Sequence, residues 1–217
     1  KKISNEWNGN VTVGGNVMEH GSEADSWKTS VVVNGPIIQD KLGIQLRGSY
    51  LDRQKSERIP ETSGRDPRPS EADTYDVGGK LAFNLNDQNT FWIDGFHSSQ
   101  TYKNDDNRLG TLDTPARANG YKDELEFKRD QISAGHDGDY SFGKWTSYIS
   151  QTQTETIGRT IPRNTFPGNV AAGQDRTLKN TDFVADSHVV LPIADHKLTV
   201  GAEYKEAEIA DDIAGIG

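Results

Sequence analysis

The side chains that most often carry chemistry occur in this sequence in patterns that do not support it. Asn104-Asp105-Asp106-Asn107 is an oxygen-rich run that could suggest calcium. It lacks the spaced ligands, the glycine and the distal glutamate of a calcium loop, and reads as a solvated loop tip. Adjacent carboxylates such as Asp105 and Asp106 are too common in polar loops to imply a general acid and base. His20, His97, His136, His188 and His196 are dispersed, with no His-Glu-x-x-His run, so no structural metal is expected. No Gly-x-Ser-x-Gly elbow, phosphate-cradling loop or dinucleotide fingerprint is found. The chain has no cysteine, hence neither thiol chemistry nor a disulfide frame. The expectation is a protein that is not an enzyme and carries no cofactor.

Charge and hydropathy narrow the class. A net charge of −9 disfavours nucleic acid as a partner, because phosphate binding needs clustered Lys and Arg. Hydrophobic residues make up 32% of the 217, and the mean hydropathy of −0.78 is low for an ordinary globular domain. No run approaches a membrane-spanning helix. A transmembrane barrel escapes that objection, because its strands show apolar side chains to lipid only at alternate positions. Lys1-Lys2-Ile3-Ser4 lacks the apolar run of a signal peptide, which suggests processing or an excerpt from a longer chain.

The elements that position any site are read from period-two patterning. Val11, Val13, Gly15 and Val17 share one parity, as do Trp27, Thr29, Val31 and Val33 on the way back. Leu42, Ile44, Leu46, Gly48 and Tyr50 oppose Gln45, Arg47 and Ser49. Tyr75, Val77, Gly79, Leu81, Phe83 and Leu85 lead through a turn to Phe91, Ile93 and Gly95, a hairpin. Ile132, Ala134 and His136 share a parity that Leu125 and Phe127 do not, which suggests a bulge or an early strand end. Residues 144–151 have no clear phase. Phe183, Ala185, Ser187, Val189 and Leu191, then Leu198, Val200, Ala202 and Tyr204, complete about nine strands of roughly ten residues, the length of a tilted strand that crosses a bilayer.

Connector lengths alternate. Short ones at 35–41, 86–89, 137–143 and 192–196 are rich in Gly, Pro, Asn and Asp. Long polar ones at 54–73, 98–123 and 154–179 carry no apolar rhythm and are the natural home of a functional surface. Trp27, Tyr50, Tyr75, Phe183 and Tyr204 gather toward the long-loop rim, and Trp7, Phe83, Phe91 and Trp145 toward the short-turn rim. Two such belts match the interfacial girdles of outer-membrane barrels, although core aromatics at sheet edges would place rings similarly. The expected fold is all-β: an antiparallel transmembrane β-barrel segment.

Three stretches carry a resemblance. Residues 34–43, Asn-Gly-Pro-Ile-Ile-Gln-Asp-Lys-Leu-Gly, the run Leu191-Pro192-Ile193, and residues 198–204, Leu-Thr-Val-Gly-Ala-Glu-Tyr, resemble the early barrel of TonB-dependent outer-membrane receptors, in the branch of ferric-catecholate siderophore and colicin receptors. The likeness runs over essentially the whole chain. It implies that residues 1–217 are a partial barrel domain, about nine of twenty-two strands, without the plug domain and the later strands. It further implies short periplasmic turns, long extracellular loops and a bacterial outer-membrane location.

The function implied is import of a ferric siderophore, energised by the TonB complex acting through the plug, with outer-membrane lipid around the barrel and colicin or phage as further partners of the loops. Ferric catecholates are bulky anions with aromatic faces, so Arg and aromatic side chains suit them. Arg159, in Ile157-Gly158-Arg159-Thr160-Ile161-Pro162, sits where the family carries a similar Arg-Ile-Pro stretch. Arg129, in Phe127-Lys128-Arg129-Asp130, has the parity opposite Ile132 and should face the lumen. Tyr102 and Tyr121 are further ligand-binding candidates. A solvated or salt-bridged arginine, and a tyrosine buried in its own loop, are the plain alternatives for these four. The rival reading of the whole chain is a soluble or surface-attached β-sandwich for adhesion or glycan binding.

Overall fold

The computed structural model describes residues 5–19, 24–55, 71–103, 121–161, 167–169 and 174–213. His20, the run 104–107 and most of the three long connectors lie outside these residues. Nine strands form a single sheet in chain order, each antiparallel to the next: β1 (Asn8–Asn16), β2 (Ser26–Ile38), β3 (Leu42–Arg53), β4 (Glu71–Asn86), β5 (Asn89–Lys103), β6 (Tyr121–Tyr140), β7 (Gly143–Thr160), β8 (Asp175–Ile193) and β9 (His196–Ile213). A short 3₁₀ turn, Pro167–Asn169, lies between β7 and β8. Among the described residues no second layer covers the sheet. Val31, Leu46, Val77, Ile132, Ile149 and Val200 are all exposed, which is the reverse of a sandwich core.

Two expectations need correction. The strands run 9 to 20 residues instead of about ten, because β5 to β8 continue into stretches whose polar composition reads as loop. Hydrogen-bonded antiparallel pairing does not require apolar residues once both faces are wet. The connectors on the other rim shrink accordingly, to Gln39-Asp40-Lys41, Asp87-Gln88, Ser141-Phe142 and Ala194-Asp195. Asp40 (φ 58°) and Ala194 (φ 50°) adopt the left-handed conformation that such tight turns demand.

The change of parity in β6 is not a bulge at that point. The β5–β6 register is unbroken from Asn89↔Gly138 to Lys103↔Glu124. Residues paired across antiparallel strands share a face, so Ile132, Ala134 and His136 lie on the apolar face with Gly95, Ile93 and Phe91, while Phe127 lies on the other face with Gln100. The apolar band ends at Ile132, beyond which the same face carries Asp130 and Lys128. The unclear phase of 144–151 has a similar cause. Ser147 stands on the apolar face between Trp145 and Ile149, its hydroxyl 2.7 Å from that of Ser187, which also accepts from Trp145 Nε1 at 3.0 Å.

Register fixes the tilt of the strands. The upper aromatic girdle is Tyr50 on β3, directly opposite Tyr75, and Tyr204 on β9. Followed back across the sheet, Tyr204 pairs through Ala185, Ile149, Ala134, Ile93 and Leu81 to Ile44. The girdle therefore descends from position 50 to position 44, six residues over the six steps from β3 to β9. A stagger of one residue, about 3.3 Å, per strand spacing of about 4.8 Å gives a tilt of roughly 35°. The eight residues from Tyr75 to Phe83, the latter paired with Phe91 in the lower girdle, then span about 22 Å along the normal, close to the apolar height of an outer-membrane barrel.

Candidate functional site

The two faces of the sheet differ in chemistry below the upper girdle. On the polar face, Arg47 on β3 reaches across β4 and donates to Asp94 on β5 through Nη1 at 2.9 Å and Nη2 at 2.7 Å. Its guanidinium carbon lies 5.8 Å from the Phe96 ring centroid. Lys80 Nζ stands 4.3 Å from the Trp92 centroid, and Trp92 Nε1 donates to Asp137 at 3.0 Å. These groups share one wall and satisfy one another. The opposite face is apolar, with a depression of about 740 Å³ bordered by Phe91, His136, Ile149 and Tyr204 over Ala134, Ala185 and Ala202. The side chains named hold outward-face positions within the apolar band.

Above the girdle the candidate residues come into view. Arg129 pairs with Ser98 and Thr154, on the face opposite Ile132 as expected, and donates from Nη2 to Gln131 Oε1 at 3.2 Å. Tyr102 shares that face five residues beyond His97 on β5. Its hydroxyl donates to Gln100 at 3.4 Å, and its ring meets Phe127 edge-on, centroids 5.7 Å apart at 80°. The ring lies half-buried beside Leu125, which is 9% exposed. Tyr121 is paired by its backbone with Arg159, and its side chain lies outside the described residues.

Arg159 owes its place to the residue before it. Gly158 has φ 92°, a conformation that L side chains rarely adopt, and a Cβ built there would meet the Glu124 carbonyl oxygen at 2.1 Å. The register of β7 shifts at this point against both neighbours, between Tyr121 and Glu126 on β6 and between Thr156 and Arg159 on β7 itself. This double bulge delivers Arg159 opposite Arg176 on β8. The next residues, Thr160 and Ile161, are buried at 8% and 2%, and Ile161 N donates to Gln174 O at 2.9 Å, anchoring the base of the loop.

Two residues here were not found from the sequence. Arg176 donates from Nε to Asp211 Oδ1 at 2.6 Å and from Nη2 to Oδ2. Asp211 stands seven residues past Tyr204 on β9, about 19 Å beyond the girdle at a 35° tilt. The hydrogen bond from Arg176 holds its carboxyl below the usual carboxylate range, against the opposing effect of burial and with smaller help from the charges of Arg176 and Arg159. The same bond raises the Arg176 guanidinium further. Arg176 lies inside the stretch 154–179 that reads as loop, and its partner is 35 residues away. Parity offers the one signal: Arg176 is in phase with Asp182 and Asp186 on the polar side of β8.

The four sequence candidates are thus not one constellation. Tyr102 and the Arg159–Arg176–Asp211 cluster lie high on the polar face, whereas Arg129 lies closer to the girdle. Such a wall can bind an anion by charge and a flat ring by edge or face contact; the described residues contain no group of three or more His, Asp or Glu placed to hold a metal ion.

No family model matches the chain. It is similar to three proteins over nearly its full length. It is 26% identical over 99% of its residues to a probable TonB-dependent siderophore receptor, PirA, of Acinetobacter baumannii. It is 24% identical over 97% to the ferric enterobactin receptor of Pseudomonas aeruginosa, and 22% identical over 97% to an iron-regulated outer membrane virulence protein of Vibrio cholerae. The match covers 30%, 31% and 28% of those proteins, so the chain spans under a third of each. The crystal structure of the Acinetobacter receptor superposes with a TM-score of 0.73, covering 100% of this chain and 32% of that one, at 22% identity. The sheet order, the tilt and these likenesses agree on the fold: the chain is a nine-stranded antiparallel barrel segment similar to part of the outer-membrane β-barrel of TonB-dependent siderophore receptors.

Proposed function

We propose that the whole protein imports ferric siderophores of the catecholate type, with energy supplied by the TonB complex acting on a plug domain inside the barrel. Residues 1–217 are then one part of the barrel domain, supplying wall and a share of the ligand mouth. The observation that carries the ligand class is the polar face above the girdle, where the Phe127 ring, met edge-on by Tyr102, lies one row below the opposed Arg159 and Arg176. A triscatecholate iron chelate is a large anion with exposed rings, and cation and ring edge are what such a wall offers. Relatives named as siderophore and ferric enterobactin receptors support the same reading. Tyr102, Tyr121, Arg129 and Arg159 are its ligand contacts, and the loops above them are the surface that a colicin or phage would meet.

The experiment is to shorten the loop that follows Arg159 in the intact receptor and measure binding of the ferric siderophore. Weaker binding with unchanged barrel assembly is expected, and unchanged affinity rejects that loop as part of the mouth. Loss of siderophore-dependent iron uptake in cells without TonB tests the coupling separately. No observation on the described residues favours the sandwich reading.

A further inference from the structure

Two guanidinium groups on neighbouring strands repel each other, and a protein keeps them together only with a carboxylate between them or an anion to receive. Arg159 and Arg176 face each other across β7 and β8, and Asp211 is the carboxylate. An arginine has five N–H donors in a planar fork, and Asp211 takes two of those on Arg176, one from Nε and one from Nη2. Three remain, with the plane of the fork already fixed.

We propose that Arg176 is an anion-contacting residue of the ligand mouth and that Asp211 is the positioning residue that sets its fork. This deepens the functional reading above and rests on it. The ligand class is a polyanionic aromatic metal chelate. The same face supplies the aromatic part, since Asp211 pairs with Leu178, Leu178 with Thr156, and Thr156 with Phe127, whose ring meets Tyr102. The row of Arg159 and Arg176 thus stands next above the row that holds the Phe127 ring, which Tyr102, paired with Leu125 on β6, meets edge-on from β5. Pre-orienting the fork lowers the ordering cost of binding, and the double bulge at Gly158 brings the second guanidinium into line.

The test uses the intact receptor in detergent or liposomes, with iron(III) triscatecholate as the anionic probe and a neutral iron(III) trihydroxamate as its comparison. Arg176→Gln should raise the Kd for the triscatecholate by about tenfold or more, the worth of a charge-assisted hydrogen bond, and should flatten its salt dependence. Arg176→Lys should recover only part of the loss, because an ammonium keeps the charge without the fork. Asp211→Asn should also weaken binding although it adds a net positive charge, whereas a purely Coulombic cluster would bind the anion more tightly. Tighter binding by Asp211→Asn overturns the positioning role. A Kd unchanged in Arg176→Gln, or equal losses for the anionic and neutral probes, overturns the contact role. Should Arg176→Gln fail to assemble, the Arg176→Lys and Asp211→Asn pair decides by the same signs. A wild-type receptor that does not bind triscatecholate removes the functional reading and this one together; a wild type that binds, with variants that bind equally, removes only this one.

Discussion

Leu46 is the sharpest place to test which solvent each face meets. It lies four residues below Tyr50 on β3 and is 53% exposed. At about 3.3 Å per residue and a 35° tilt, its Cα sits roughly 11 Å below the upper girdle, close to the midplane of a 22 Å band. An arginine at the midplane of an outer-membrane barrel costs about 2–4 kcal/mol, and near the rim about 0–1. Leu46→Arg in the intact receptor should therefore lower the folding constant by roughly 30- to 900-fold, whereas Leu85→Arg, two residues past the lower-girdle Phe83, should change it less than tenfold. Reversible unfolding from liposomes in denaturant reads both. A site-directed nitroxide gives an independent answer, since the segment has no cysteine to compete. A label at Leu46→Cys should collide with oxygen and be shielded from a nickel chelate, and a label at Gln45→Cys, on the other face, should show less contrast or the reverse. Equal costs at positions 46 and 85, or oxygen accessibility without alternation between 45 and 46, would refute the assignment of the outward face to lipid.

Gly158→Ala should cost at least 1–2 kcal/mol, as a left-handed L-residue with its Cβ against a backbone carbonyl, and should misplace Arg159, so that thermal stability and triscatecholate affinity fall together. Arg47→Leu leaves Asp94 without its bidentate donor and should destabilise by about 1.5–3 kcal/mol; a double-mutant cycle with Asp94→Leu should recover part of that, and strict additivity would disprove the coupling. Ala194→Gly in the β8–β9 turn should stabilise by about 1 kcal/mol, read as a higher denaturant midpoint, by relieving φ 50° at a residue with a Cβ. Because the Asp211 carboxyl is depressed in the fold, its pair with Arg176 contributes in full above the unfolded Asp value near pH 3.9 and fades as the pH falls through the lower folded value. Unfolding titrations between pH 2 and 6 should show an acid limb that Asp211→Asn makes shallower.

Legibility in the sequence follows the solvent. Where one face meets lipid and the other water, as in Leu42 to Tyr50 or Tyr75 to Leu85, the pattern alternates and every strand is readable. Past Tyr75 and Ile132 both faces are wet, so Lys103, Glu155 and Lys179 read as loop although their backbones are paired in the sheet. The parity change in β6 is the same boundary seen along one strand. The site suffers most from this, since it lies wholly in the two-sided polar stretch. Arg159 was reached through its motif and Arg129 through parity with Ile132. Arg176 and Asp211 come together through the β8–β9 register, which the turn at 194–195 fixes only once both polar stretches are known to continue as strand.

The stagger of one residue per strand links these levels. Tilt and stagger are one quantity in a barrel, and a mean step of one residue per strand from Tyr50 on β3 to Tyr204 on β9 is that of a tilted piece of cylinder wall. Such a piece is not self-sufficient in lipid. Among the described residues β9 presents 18 residues along an edge with no further strand beside it, and in hydrocarbon each unpaired backbone group costs several kcal/mol. On the barrel reading, that edge pairs with a further strand. The same edge places Asp211 on the last strand of this segment, next to whatever pairs with it. It follows that a receptor whose barrel is perturbed just beyond β9, by a proline placed to break the pairing at the level of Asp211, should lose triscatecholate affinity in step with Asp211→Asn while leaving the Tyr102–Phe127 ring pair in place. Retained affinity in such a variant would show that the Arg176 fork is set by β8 alone.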